Sequence, residues 1–302
     1  MRVVVIGSGG QLGTEVCAVY ADADLHAVDV DTLDVRDAAA CMDLIAGGLC
    51  PSVVINTAAF HNVPKCEEEP DMAFAVNATG AKNLAVACQD CGARLVHVST
   101  DYVFGNGGAR PYIETDRPAP LSVYGASKLA GEHLVAAYCD NHVIVRAAAL
   151  YGPAPCLAKE GMNFVKLMLH LAATRGEVKV VTDEVTTPTY TKALAEQIKL
   201  VAEKGEPGLY HATCHGACSW YEFAKAVFEE TLTDVKLLPA TSEDFPSPVK
   251  RPEYSVLENK HLQDQGLDIM APWREALRTY LATGGRRRGR AGQAAQDPHA
   301  GQ

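Results

Sequence analysis

Tyr124-Gly125-Ala126-Ser127-Lys128 sets a phenol and an ammonium four residues apart, and on a helix that spacing puts both on one face. The pair suits proton transfer. Reduction of a carbonyl needs a proton for the alkoxide that develops as hydride arrives, and a tyrosine with a pKa of about 10 gives one up poorly. A nearby cation favours the phenolate and brings the phenol toward the working pH. Tyr221 and Lys225 repeat the spacing but have no chemical companions, so they read as an ordinary amphipathic helix. Tyr124 has companions. A β-rich run at residues 94–98 leads into Ser99-Thr100-Asp101, which places hydroxyls at the carboxyl end of a strand, where open α/β sheets bind ligands.

A second constellation supplies the other reactant. Gly7-Ser8-Gly9-Gly10-Gln11-Leu12-Gly13 follows the apolar run at residues 2–6 and precedes a helical pattern. Gly7, Gly10 and Gly13 would let the backbone close on a pyrophosphate, whose charge sits at the N-terminus of the next helix. The second apolar run ends at Asp29, with Asp31 and Asp34 behind it. An acid there accepts from ribose hydroxyls and disfavours a 2′-phosphate, whereas neighbouring Arg36 does the reverse. NADH and NADPH both remain open.

The elements that must position these groups alternate. Strands are expected at residues 2–6, 24–29, 52–56, 94–98 and 142–146. Helices are expected at 11–20, 37–46, 72–91 and 124–138. Near-continuous apolar strands between helices predict an α/β fold, a doubly wound parallel sheet covered on both faces. That cofactor domain spans 1–150. Past it the rhythm loosens: helices at 163–175 and 190–203, a strand at 178–181, then short elements at 210–212, 219–230 and 273–281. Residues 151–282 therefore read as a smaller α/β substrate subdomain, some of whose elements return to the first. Residues 283–302, arginine-rich and without apolar content, are expected to be a disordered tail.

Composition excludes several alternatives. With 37 acidic against 27 basic residues the formal charge is -10, the wrong sign for a nucleic-acid partner. No apolar run reaches the roughly 20 residues a membrane span needs. Met1 runs straight into the first strand without a leader pattern, so a cytoplasmic location is expected. Ten cysteines include Cys88/Cys91 and Cys214/Cys218, but neither pair has a partner pair at zinc spacing, and no metal site is expected.

Taken together, the motifs resemble the dTDP-4-dehydrorhamnose reductases, a branch of the extended short-chain dehydrogenase/reductases. The carriers are Gly7…Gly10-Gln11-Leu12-Gly13, Leu33-Asp34-Val35-Arg36-Asp37, Asn56-Thr57-Ala58-Ala59-Phe60, Val76-Asn77-Ala78, Ser99-Thr100-Asp101-Tyr102-Val103-Phe104 and Tyr124 through Glu132. Leu150-Tyr151-Gly152, Asn163-Phe164-Val165, Pro188-Thr189-Tyr190 and Arg251-Pro252 continue it, so the likeness runs from Met1 to about Leu281. The resemblance implies a Rossmann-type sheet and NAD(P)H-dependent reduction of the C4 keto group of dTDP-4-dehydro-L-rhamnose to dTDP-L-rhamnose. It implies that Thr100 bonds the substrate carbonyl, Tyr124 protonates it, and Lys128 holds the nicotinamide ribose and tunes Tyr124. Gly7, Gly10, Gln11, Leu12 and Gly13 would meet the pyrophosphate, Asp29 the ribose, Asp34 and Val35 the adenine, and Ala58 and Ala59 the cofactor's length. His61, Asp101 and Tyr102 would face the sugar nucleotide. Some members form homodimers with a divalent cation, Mg2+, at the interface.

Three positions depart from the family pattern. Pro64-Lys65 stands where an Asp and a charged residue are usual, Ala149 where many relatives carry Trp, and Glu184 where Gln is common. They leave two alternatives: a reductase or epimerase of another nucleotide sugar, and a cofactor-bound regulatory subunit of the methionine adenosyltransferase type. The intact Thr100, Tyr124 and Lys128 favour the enzyme.

Overall fold

Apolar runs with no polar alternation can form strands only where both faces of a sheet are covered. In the computed structural model, which describes residues 1–105, 108, 110–155 and 161–285, such runs become β1 (Arg2–Ile6), β2 (Asp24–Val28), β3 (Val53–Asn56), β4 (Arg94–Thr100) and β5 (His142–Ala147). The second half adds β6 (Leu150–Tyr151), β7 (Glu177–Val181), β8 (Val185–Thr186), β9 (Thr189–Tyr190), β10 (Gly208–His211), β11 (Cys218–Ser219) and β12 (Lys236–Ala240). The main sheet has six strands in the order β10-β5-β4-β3-β1-β2, all parallel. The chain lays β2 on one side of β1 and β3 on the other. The winding reverses there, and the crevice above the carboxyl ends of β1 and β3 is the binding position of such sheets.

The alternation of β1 divides the core. Val3 and Val5 point into one apolar cluster, Val4 and Ile6 into a second on the opposite face. The first is covered by α1 (Gln11–Val19) and by elements of the second half. Of the next five helices, α2 (Ala38–Met42), α3 (Val63–Glu68), α4 (Pro70–Phe74), α5 (Ala81–Cys91) and α6 (Val123–Tyr138), the other cluster is covered by α2, α5 and α6, while α3 and α4 pack on α6. Beyond them come α7 (Phe164–Arg175), α8 (Thr191–Lys204), α9 (Trp220–Thr231), α10 (Lys260–Asp264) and α11 (Trp273–Tyr280). From the second half, α8 packs on α1 while β10 extends the main sheet by pairing with β5. The smaller sheets, β7 with β12, β8 with β11 and β6 with β9, lie outside it.

Several expected elements change shape. The helix expected at 72–91 is divided by a wider turn at Ala75–Gly80, where the Asn77 side chain takes Phe60 N–H at 2.8 Å and donates to Phe60 O and Ser127 Oγ, each at 3.0 Å. The helix expected at 37–46 likewise passes into a wide turn, Asp43–Leu49, which ends at Cys50 with φ 42°. The last helix runs on through Leu281–Gly285, where Thr283 Oγ1 donates to Thr279 O. The arginine-rich tail beyond Gly285 lies outside the described residues. No helix among them is long and apolar enough to cross a membrane.

Candidate active site

Backbone crowding shapes the loop between β1 and α1. Gly7 has φ +78°, and a Cβ there would come within 2.8 Å of the Ala58 nitrogen. A Cβ on Gly13 would lie 2.1 Å from Gly7 O. Helix α1 has no side-chain cap and no acid in its first turn, so its leading N–H groups and the positive end of its dipole are available to an anion. Asp29, at the tip of β2, folds back on this loop, accepting from Gly9 N–H at 2.7 Å and Val30 N–H at 2.8 Å. Asp34 is gripped by Arg36 through both oxygens, at 2.9 and 3.0 Å from Nε. Val35 is buried, its carbonyl taking the Asn83 amide at 2.9 Å.

Above the carboxyl ends of the strands lies a cavity of about 550 Å³. Of the residues singled out by sequence, Gly10, Gln11, Leu12, Gly13, Ala59, His61, Thr100, Asp101, Tyr102, Tyr124 and Lys128 line it. Gly7, Asp29, Asp34, Val35 and Ala58 do not. They stand behind or beside the loop, where Ala58 N–H is tied to Asn56 Oδ1 at 3.1 Å.

The reactive groups come from two elements. Thr100 ends β4, taking Tyr102 N–H on its oxygen at 3.2 Å and facing Asp101 Oδ1 at 3.1 Å. Ser122 caps α6 by accepting from Gly125 N–H at 3.2 Å, which fixes Tyr124 in the first turn and Lys128 one turn on. The Thr100 hydroxyl bonds the Tyr124 phenol, yet burial dominates and pushes that phenol well above its ordinary range. Tyr124 is therefore loaded with its proton, the state a proton donor requires. The expected lowering of Tyr124 by Lys128 is not what governs it here.

Lys128 is 2% exposed, and burial brings its ammonium down from 10.5 to about 8, against a smaller opposing pull from Glu132. Its Nζ donates to Val98 O at 2.7 Å. Asp101 is pushed up by burial to about 6, although Ser255 Oγ donates to it at 2.6 Å. Tyr102 packs edge-on to Tyr124 with centroids 5.8 Å apart.

Other wall residues carried no functional assignment in the sequence. Trp220 and Phe164, with ring centroids 4.6 Å apart, and Arg251 and Ser255 all line the cavity. They arrive from separate elements, so no local spacing announces them. The three departures, Pro64, Ala149 and Glu184, line it as well. Ala149 sits at φ 45°, a conformation a β-carbon disfavours. Tyr221 and Lys225 fall on α9 outside the cavity, Lys225 in a surface pair with Glu229 at 4.0 Å. Nine cysteines are free among the described residues, and no cluster there could hold a metal ion.

Residues 1–285 match the family model of the RmlD substrate binding domain. A dTDP-4-dehydrorhamnose reductase of Mycobacterium tuberculosis is 43% identical over 289 residues, covering 93% of this chain and 92% of its own. Spore coat polysaccharide biosynthesis protein SpsK of Bacillus subtilis is 40% identical, covering 93% and 96%. Among solved structures, a dTDP-4-dehydrorhamnose reductase from Clostridium acetobutylicum superposes with a TM-score of 0.88 at 42% identity, covering 94% of this chain and 99% of that one. The Bacillus anthracis enzyme of the same name, in complex with NADP, gives 0.88 at 36%, covering 93% and 99%.

Proposed function

We propose, for a chain that belongs to the family of the RmlD substrate binding domain, the NAD(P)H-dependent reduction of the C4 keto group of dTDP-4-dehydro-L-rhamnose to dTDP-L-rhamnose. One observation carries this reading. Thr100, Tyr124 and Lys128 converge on a single cavity whose far wall is the glycine loop of α1.

The loop fits a dinucleotide. The space a Cβ would take on Gly7 or Gly13 is already filled by backbone, so the turn is as tight as a pyrophosphate requires, and the free N–H groups of α1 face it. Gly10, Gln11, Leu12 and Gly13 would hold the pyrophosphate, Asp29 the adenosine ribose, Asp34 and Val35 the adenine, and Ala58 and Ala59 the length between. Bound there, a reduced nicotinamide supplies the hydride. The chain's own groups do the rest. Thr100 Oγ1 orients the carbonyl oxygen, the proton-loaded phenol of Tyr124 delivers its proton to that oxygen, and Lys128 holds the nicotinamide ribose and stabilises the phenolate left behind. His61, Asp101 and Tyr102 line the sugar's side of the same space, with Ala149 and Glu184 beside them.

Three finer parts belong to the same proposal: either nicotinamide as reductant, a cytoplasmic location, and, from the resemblance, a homodimer with Mg2+ at its interface. Gel filtration with and without chelator checks the last. The reaction itself is tested by loss of absorbance at 340 nm with NADPH or NADH and dTDP-4-dehydro-L-rhamnose. Wild type should turn over and Tyr124→Phe should fall by about 10²–10⁴-fold. Nucleotide binding without consumption by the wild type would reject the substrate.

A further inference from the structure

Lys128 does not stand alone behind the cavity. Its Nζ lies 3.4 Å from Nε2 of His97, a ring buried inside the sheet on β4. The other ring nitrogen, Nδ1, lies 3.0 Å from Nδ2 of Asn56, the last residue of β3. Asn56 in turn accepts Ala58 N–H on Oδ1 at 3.1 Å.

This chain of contacts has a fixed polarity. A backbone N–H can only donate, so the Asn56 atom facing Ala58 must be its carbonyl oxygen. The amide NH₂ is then the group that faces His97, and Nδ1 must accept. A neutral imidazole that accepts at Nδ1 carries its proton at Nε2. That N–H is aimed at Lys128, whose ammonium is also a donor. With the ring in this form two donors face each other at 3.4 Å, an arrangement relieved when Lys128 gives up a proton.

We propose that His97, held by Asn56 in its Nε2-protonated form, is a positioning residue that weakens the hold of Lys128 on its proton. The inference rests on the reading of Lys128 as part of the active site. In that setting the lysine is poised to pass a proton toward the Tyr124 phenolate after each turnover and to regain one from water, rather than remaining a fixed charge.

The surroundings leave His97 as the adjustable member. Glu132, one turn along α6, is the acid that favours the ammonium, but it is bound to Arg146 at 2.6 and 2.9 Å and to Ser99. Asp101 and Tyr124 line the cavity that Lys128 also lines. Burial keeps the His97 ring neutral, its affinity for a second proton far below the ordinary value, and the Lys128 charge adds to that.

The test reads Lys128 directly, without substrate. The lysine Cε resonances are titrated by NMR in the full-length protein, with Lys128→Met to assign the signal. Asn56→Asp keeps an acceptor for Ala58 N–H but offers His97 a second acceptor, which turns the ring to its Nδ1-protonated form and presents Nε2 as an acceptor to the ammonium. The Lys128 midpoint should rise by about one unit, tenfold in its acid constant. A new carboxylate would also act through space, so the same change is made beside His97→Gln, where the rise should shrink to less than a third. An equal rise in both backgrounds, or none in either, overturns the proposal. Nitrogen-detected spectra of the wild-type ring are a second check that needs no variant: a proton on Nδ1 would overturn it too. If Lys128 shifts as stated while no nucleotide sugar is reduced, the proposed reaction fails and this inference stands.

Discussion

Replacing Lys128 by Met should make the protein more stable while abolishing turnover. The lysine titrates at about 8 in the folded chain instead of 10.5, and each unit is worth about 1.4 kcal/mol. Holding the ammonium in place therefore costs the fold about 3 kcal/mol at neutral pH. Methionine has a similar length and no charge, but it orphans Val98 O, which loses the bond it receives at 2.7 Å, a penalty of about 1 kcal/mol. The net is a gain of about 2 kcal/mol at pH 7, or about 3 °C in Tm for a chain of this length. The sign is that of the common acidic case, because the folded value is again depressed, and it is opposite to that of a lysine held by an acid. Between about 8 and 10.5 the unfolded chain binds the proton that the folded chain has shed, so wild-type stability rises with pH across that window. The penalty is whole below it and gone above. Thermal melts of wild type and variant at pH 7 and at pH 10.5 would show the advantage at the first and its disappearance at the second. A variant that melts lower at pH 7, or an advantage that does not shrink with pH, would refute the burial argument.

Other outcomes follow from the same geometry. Gly13→Ala puts a Cβ 2.1 Å from Gly7 O, so calorimetric titration should find nicotinamide nucleotide binding weakened about 10- to 100-fold, from about 1–3 kcal/mol of forced displacement. Arg146→Met leaves Glu132 buried without its partner, and urea unfolding should show a loss of about 3–5 kcal/mol. Asp101 is raised from 3.8 to about 6, so the folded chain keeps a proton the unfolded chain loses, and stability falls as pH climbs through that window. Asp101→Asn, whose carbonyl can still accept from Ser255, should remove the slope and melt higher than wild type at pH 8 but not at pH 4.

What the sequence revealed was what lies close together along it. The β1–loop–α1 unit is contiguous, and Tyr124 and Lys128 are linked by one helical turn, with the nearby Ser99-Thr100-Asp101 separating that pair from the same spacing at Tyr221 and Lys225. Asn56, His97 and Lys128 meet only because parallel strands bring β3 beside β4 and α6 packs against β4, and separations of 41 and 31 residues hide that. Trp220 and Ser255 reach the cavity from the second half on the same terms. Some misses were local. Asn62 followed by Pro64 is a helix-start signal, with Asn62 Oδ1 capping Lys65 N–H at 3.2 Å, and it opens α3. β12 contains Pro239, which argues against a central strand but is tolerated where pairing is on one side only, as it is with β7. At the wide turn of Ala75–Gly80, Asn77 bonds Phe60 and Ser127 across the fold, and helical periodicity carries no record of that.

The sixth strand of the main sheet has a consequence for how the chain is made. β5 ends at Ala147, but its outer neighbour β10 begins at Gly208, so some 61 residues must be added before that edge can be closed. At ribosomal rates of about 5–20 residues per second, the row of unpaired backbone groups on β5 stays open for about 3–12 s in every molecule synthesised. During that time β1 to β5 can already pair, while α8, which buries the outer side of α1, has also yet to emerge. The nascent protein therefore passes through an interval in which its most complete part is also its most adhesive.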